Sequence, residues 1–181
     1  MRLTISAAAA TLFLLGGCAT TGTTSDGTEP RGTRAFASLF DGQGAPRGEA
    51  SVTPTASGVR LAISGMDLPP GAHGFHVHTV GRCDGPDFTT AGGHWNPTNH
   101  QHGRDNPQGS HMGDLPNLMI GTDGRGTLEI DIPGASLSGG TNPLLDADGA
   151  ALVIHAGPDD MKTDPSGNSG GRIACGVFAA S

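Results

Sequence analysis

From residue 34 onward, apolar and β-branched residues come in short runs, and each run is closed off by Gly, Pro or Asp. Such runs occupy 34–40, 48–53, 58–64 and 74–80, then 117–121, 127–132, 151–155 and 172–178. Stretches of this length with turn formers at both ends read as β-strands. Asp123-Gly124-Arg125-Gly126, between two of them, is a hairpin-turn signal. Side chains alternate faces along a strand, so in Gly74-Phe75-His76-Val77-His78 the rings of Phe75 and the methyls of Val77 point to the core. His76 and His78 then share the outer face. The pattern predicts an all-β fold, an eight-stranded β-sandwich or flattened Greek-key barrel.

One apolar run is of another kind. After Arg2, an apolar stretch continues to Leu15 and gives way to Gly16 and Gly17, which reads as an export signal too short to span a bilayer permanently. Leu15-Gly16-Gly17-Cys18 resembles a bacterial lipobox, in which cleavage precedes the cysteine and its thiol is acylated. Residues 1–17 are thus expected to be a lipoprotein signal peptide, with Cys18 as the mature, lipid-carrying N-terminus. Acyl chains partition into a bilayer through buried methylenes, so the product would be tethered to a membrane of the bacterial cell envelope, facing the periplasm or the surface. Residues 18–32, rich in Thr, Gly and Ser, cannot bury enough apolar surface to offset their ordering entropy and read as a flexible tether. That leaves 33–181 as one domain.

Composition sharpens this picture. With 31 Gly and 13 Pro among 181 residues, long helices are interrupted throughout. The formal net charge is −7, and Lys162 is the single lysine, so no basic surface exists to track a phosphate backbone and nucleic acid is excluded as a partner. There are three cysteines. If Cys18 is acylated, Cys83 and Cys175 are left as an even pair in an oxidising compartment, where a disulfide can persist. Neither lies in a CxxC pair; free thiols or metal ligation are the other readings.

The interval 81–116 has few aliphatic residues but many Gly, Pro, Asn and His, and a loop of that length is usually functional or disordered. His94, His100, His102 and His111 lie in it and His73 shortly before. A metal bound by several of them would order the loop. In the preceding strand, His76 and His78 sit roughly 7 Å apart at the backbone, close enough for their rings to converge on one ion. Taken alone, this HxH is weak evidence and suits solvated strand histidines better than a metal site.

The remaining motifs carry a resemblance. Ala91-Gly92-Gly93-His94-Trp95-Asn96-Pro97, Gln101-His102-Gly103, His111-Met112-Gly113-Asp114-Leu115-Pro116, Leu152-Val153-Ile154-His155 and Arg172-Ile173-Ala174-Cys175-Gly176-Val177 resemble, in order and spacing, segments of copper,zinc superoxide dismutases. The resemblance covers roughly residues 33–181 and leans toward bacterial members. It implies a barrel with long metal-binding loops, one copper ion and one zinc ion, and superoxide as substrate. By position, His76, His78, His94 and His155 match the copper ligands, and His94, His102, His111 and Asp114 the zinc ligands, His94 being the bridge. Asp159 matches an aspartate that accepts hydrogen bonds from one ligand of each metal, Cys83 and Cys175 match the family disulfide, and Arg172 matches the arginine that attracts superoxide at the copper channel. His73 matches a structural position and His100 no ligand position. Thr79 departs from the acidic residue that many members carry after His-Val-His.

Overall fold

A computed structural model describes residues 33–181. Ten strands follow one another: β1 Ala35–Phe40, β2 Pro46–Pro54, β3 Gly58–Gly65, β4 Gly71–His73, β5 Phe75–His78, β6 Leu118–Ile120, β7 Gly126–Pro133, β8 Ala151–His155, β9 Arg172–Val177 and β10 Ala179–Ala180. A 3-10 turn at Thr89–Ala91 interrupts the long loop. The eight expected strands are all present, their ends shifted by two residues at most. The short β4 and β10 were not anticipated. Among the described residues no helix is long and apolar enough to cross a membrane.

The main sheet runs β5-β8-β9-β1-β2-β3-β7, with β10 added beside β1 and β4 paired to β6 in a separate ladder. Hairpins join β1 to β2 and β2 to β3, but β3 then pairs with β7 and β5 with β8, so the chain crosses over as a Greek key requires. The sheet curls because alternate residues must be buried on one face. In β1, Ala35, Ala37 and Leu39 face inward and Phe36, Ser38 and Phe40 outward; in β3, Val59, Leu61 and Ile63 face inward. These meet Phe75, Val77, Leu115, Leu118, Leu152 and Ile154 in one core.

β8 is buried along its whole length. Leu152 and Ile154 join the main core, while Ala151 and Val153 point the other way into a smaller cluster with Phe88, Ala91 and Cys175. That second cluster is the underside of the long loop, which is stapled across it by a Cys83–Cys175 disulfide with a Cα–Cα distance of 5.7 Å. Of the readings open for these two cysteines, the bridge is the one that forms. Closing a 92-residue separation stabilises the fold by at most about 4.5 kcal/mol in the chain-entropy picture.

The loop also occupies the free edge of β5. Val77 N donates to Gly113 O at 3.0 Å, Trp95 N to Val77 O at 2.8 Å and Thr79 N to Gly93 O at 3.0 Å. His78 pairs with His94, and His76 with Asp114, as isolated bridges. An edge that would otherwise present unpaired backbone groups is thereby satisfied by the segments that bear His94 and Asp114. Edge pairing and site construction are one event.

Candidate metal centre

Phe75 and Val77 point into the core and His76 and His78 to the opposite face, as strand alternation demands. That outer face is not solvated. The loop covers it, leaving His76 and His78 buried. Register carries His155 to the same place: Phe75 lies opposite Ile154, and a shift between Ile154 and His155 brings His155 alongside Arg172.

One ring nitrogen from each of His76, His78, His94 and His155 lies within 4.8 Å of the others. The remaining ring nitrogens are committed. His76 Nε2 donates to Asp159 Oδ2 at 2.7 Å, His78 Nδ1 to Gly92 O at 2.9 Å and His155 Nδ1 to Gly170 O at 3.1 Å. Each such bond fixes a tautomer whose second nitrogen is a bare lone pair. Those second atoms, His76 Nδ1, His78 Nε2 and His155 Nε2, together with His94 Nε2, are buried and have no hydrogen-bond partner. Buried polar atoms are almost always satisfied, so four unsatisfied lone pairs converging on one point fit a metal ion and little else. Burial, the largest influence, keeps these rings neutral: it pushes His76 down to about 3, His78 to about 2 and His155 to about 4, and lowers His94 as well. Neutral imidazole is the ligating form.

A second group adjoins the first through His94. Nδ1 of His94, His102 and His111 approach the same oxygen, Asp114 Oδ1, at 2.8, 3.0 and 3.1 Å. Asp114 Oδ2 accepts the backbone N–H groups of Gly103 and His111, each at 2.9 Å, which holds the carboxylate in place. Burial pushes Asp114 upward, but the three imidazoles outweigh it and hold the carboxyl well below its usual range. For His102, burial opposes protonation, yet Asp114 and Asp159 raise it to about 9. Three imidazole nitrogens and one carboxylate oxygen form the donor set of a closed tetrahedral zinc site.

Asp159 ties the groups together, because Oδ2 accepts from His76 and Oδ1 from His102 Nε2 at 3.0 Å. Asn117 went unnoticed in the sequence: its side chain donates to Asp159 O at 2.9 Å and accepts from Asp159 N at 2.8 Å. No local pattern announces a partner 42 residues away. Gly167 has φ +62°, and a Cβ there would lie 1.7 Å from Asp159 Oδ1. Arg172 extends from β9 and donates to Phe88 O at 2.6 Å and Gly92 O at 2.7 Å, so loop carbonyls rather than a carboxylate hold its guanidinium. With His78, His94 and His155 it lines a cavity of about 440 Å³. His73 is buried, its ring nitrogens each 2.8 Å from a carbonyl, those of His155 and Pro69. His100 is exposed.

Known proteins are similar to this chain in sequence and fold. The family model for copper/zinc superoxide dismutase matches residues 46–178. A Cu-Zn superoxide dismutase of Aquifex aeolicus is 45% identical over 148 residues, 80% of this chain and 86% of that protein. One from Caulobacter vibrioides is 45% identical over 140 residues, 76% and 80% of the two chains. Among solved structures, a SOD-like protein from Bacillus subtilis superposes with a TM-score of 0.76 at 41% identity, covering 80% of this chain and 97% of that one. The Cu/Zn superoxide dismutase from Brucella abortus gives 0.64 at 28%, covering 81% and 99%. With a family model spanning most of its length and relatives this similar, the chain belongs to the copper/zinc superoxide dismutase family.

Proposed function

We propose that His76, His78, His94 and His155 hold copper and that His94, His102, His111 and Asp114 hold zinc. The reaction is the dismutation of superoxide, in which two anions and two protons yield dioxygen and hydrogen peroxide. The observation that carries the assignment is the set of four unsatisfied ring nitrogens facing one point. Copper, when bound, supplies the one-electron exchange that each half-reaction needs, and zinc, which has no redox chemistry, supplies fixed positive charge.

The chain's own groups do the rest. His78 and His155 are oriented by Gly92 O and Gly170 O, and His76 and His102 by one carboxylate, so no ligand ring turns freely. His94 Nε2, on the copper side of the shared ring, would take up a proton in the half-reaction that frees it from the metal and give it to the reduced product in the other. Arg172 offers a positive charge and N–H donors where an anion enters. A net charge of −7 repels superoxide at long range, so the attraction is local.

Elemental analysis of saturated protein, paired with superoxide consumption, tests this reading: one copper and one zinc per chain are expected, and a single tightly held metal would reject the paired site. Arg172→Glu should keep both metals yet lose on the order of 100-fold in turnover, the size of one oxyanion donor. The wild type should slow with rising salt and the variant should not. Equal activity and equal salt slope in fully loaded Arg172→Glu would remove Arg172 from the channel.

The leader supports an envelope location. Residues 1–17 as signal peptide, Cys18 as lipidated N-terminus and 18–32 as tether lie outside the described residues. Cys18→Ser is expected to abolish lipid labelling and release active protein from the membrane fraction. A wild type already unlipidated in its native host would end the lipobox reading.

A further inference from the structure

His100 matches no ligand position, yet it is not held like a loose surface residue. Its backbone N donates to Asn96 Oδ1 at 3.1 Å, and its backbone O accepts from Asn96 Nδ2 at 2.9 Å. Its ring Nδ1 donates to Ser110 O at 3.2 Å, and Ser110 immediately precedes the ligand His111. A side chain exposed to water loses rotamer entropy on being fixed, so the clamp is not a by-product of burial. The bond to Ser110 also selects the tautomer: with Nδ1 donating, Nε2 carries a lone pair, as in a metal-bound histidine.

The surroundings give that lone pair a direction of use. His100, Arg104, Ser110, His111 and Asp114 line a cavity of about 500 Å³. The copper-side cavity, with Arg172, is a different one, and His111 borders both. Two of the zinc-type ligands thus line a cavity apart from the copper-side one, and the clamped imidazole lines it with them.

We propose that His100 is the first protein ligand met by zinc on its way to His111 and Asp114, and the last on its way out. The inference rests on the zinc assignment above. A hydrated cation exchanges water for protein ligands one at a time, and an imidazole already fixed in this cavity by Ser110 O makes the first exchange at little ordering cost. His100 Nε2 replaces one water of the ion and is itself replaced when His111 and Asp114 close around it. Arg104, a cation lining the same cavity, opposes the approach.

The test follows zinc uptake by metal-free, disulfide-intact protein in stopped flow, with a coloured zinc indicator, and zinc release to excess chelator. His100→Ala and His100→Gln should each slow uptake and release by about tenfold, the size of a contact supporting a metal site. Equilibrium zinc affinity and the rate of copper uptake should stay unchanged, while Arg104→Ala should speed zinc uptake. Gln can keep the bond to Ser110 but lacks the imidazole lone pair. Restoration of the wild-type rate by Gln would therefore mean that the clamp alone matters and would overturn the proposal. So would unchanged rates in both variants, or weakened affinity with faster release. A wild type that binds copper but no zinc would instead overturn the zinc assignment, and this route with it.

Discussion

At the scale of single residues, the metal centre depends on atoms that never touch a metal. Asp159 orients one ring of each group, Asn117 grips its backbone, and Gly167 leaves room for its carboxylate. Gly167→Ala would place a methyl 1.7 Å from Asp159 Oδ1 and 2.8 Å from His102 Nε2, at a φ of +62° that L side chains rarely adopt. Asp159 must then move. Zinc affinity is expected to fall about 10–100-fold with the disulfide intact, as when an outer partner of a ligand is lost. Competition titration against a chelator of known affinity checks this; unchanged affinity would show that the loop yields instead. The candidate ligands were readable in the sequence because HxH spacing, a histidine-rich loop and the family motifs all point to them. Asn117 and Gly167 were not, because their roles exist only once segments distant in the chain meet.

At the scale of elements, two loops make the site and hold each other. His102 N donates to Asp164 Oδ1 at 2.7 Å, Asp105 N to Met161 O at 3.0 Å, and Asn106 Nδ2 to Lys162 O at 3.4 Å. The segment after β8 thus anchors a zinc-type ligand at Asp164, while the next residues, Pro165 and Ser166, line the copper-side cavity. Asp164→Ala should cost about 1.5–3 kcal/mol, the range for a hydrogen bond to a charged group. It should also raise amide exchange in both loops, and Asp164→Asn, which keeps an acceptor oxygen, should restore most of the loss. Exchange confined to one loop would show that the ties do not couple them. Eight strands were visible in the sequence as runs between turn formers. β4, only three residues long, and β10, only two, carry too little pattern to read, and they form because β6 and β1 offer them edges.

For the whole molecule, the metal-free protein should depend strongly on pH. His76, His78 and His155 sit below the ordinary 6.5 because burial penalises their charge, so under acid the unfolded chain binds more protons than the folded one. Their contribution is complete above about pH 6.5 and is lost as pH falls toward 4. His102, raised to about 9, acts in the opposite sense: its contribution is complete below 6.5 and is lost as pH rises through 9. Stability without metal should peak between these limits. Three histidines taking up protons together imply a fall in Tm on the order of 5–10 °C per pH unit between pH 6 and 4. Calorimetry across that range decides; a flat Tm would mean that the rings are already protonated or the pocket open.

The unsatisfied nitrogens of the four-histidine group also carry a consequence for the protein's lifetime. Copper binds only the folded arrangement, so saturating it lowers the open population on which proteases act. Synthesis at a constant rate would then give a steady-state amount that rises with copper supply. The abundance of the chain would report copper availability without any change in transcription, a gauge built from four lone pairs that the fold leaves open.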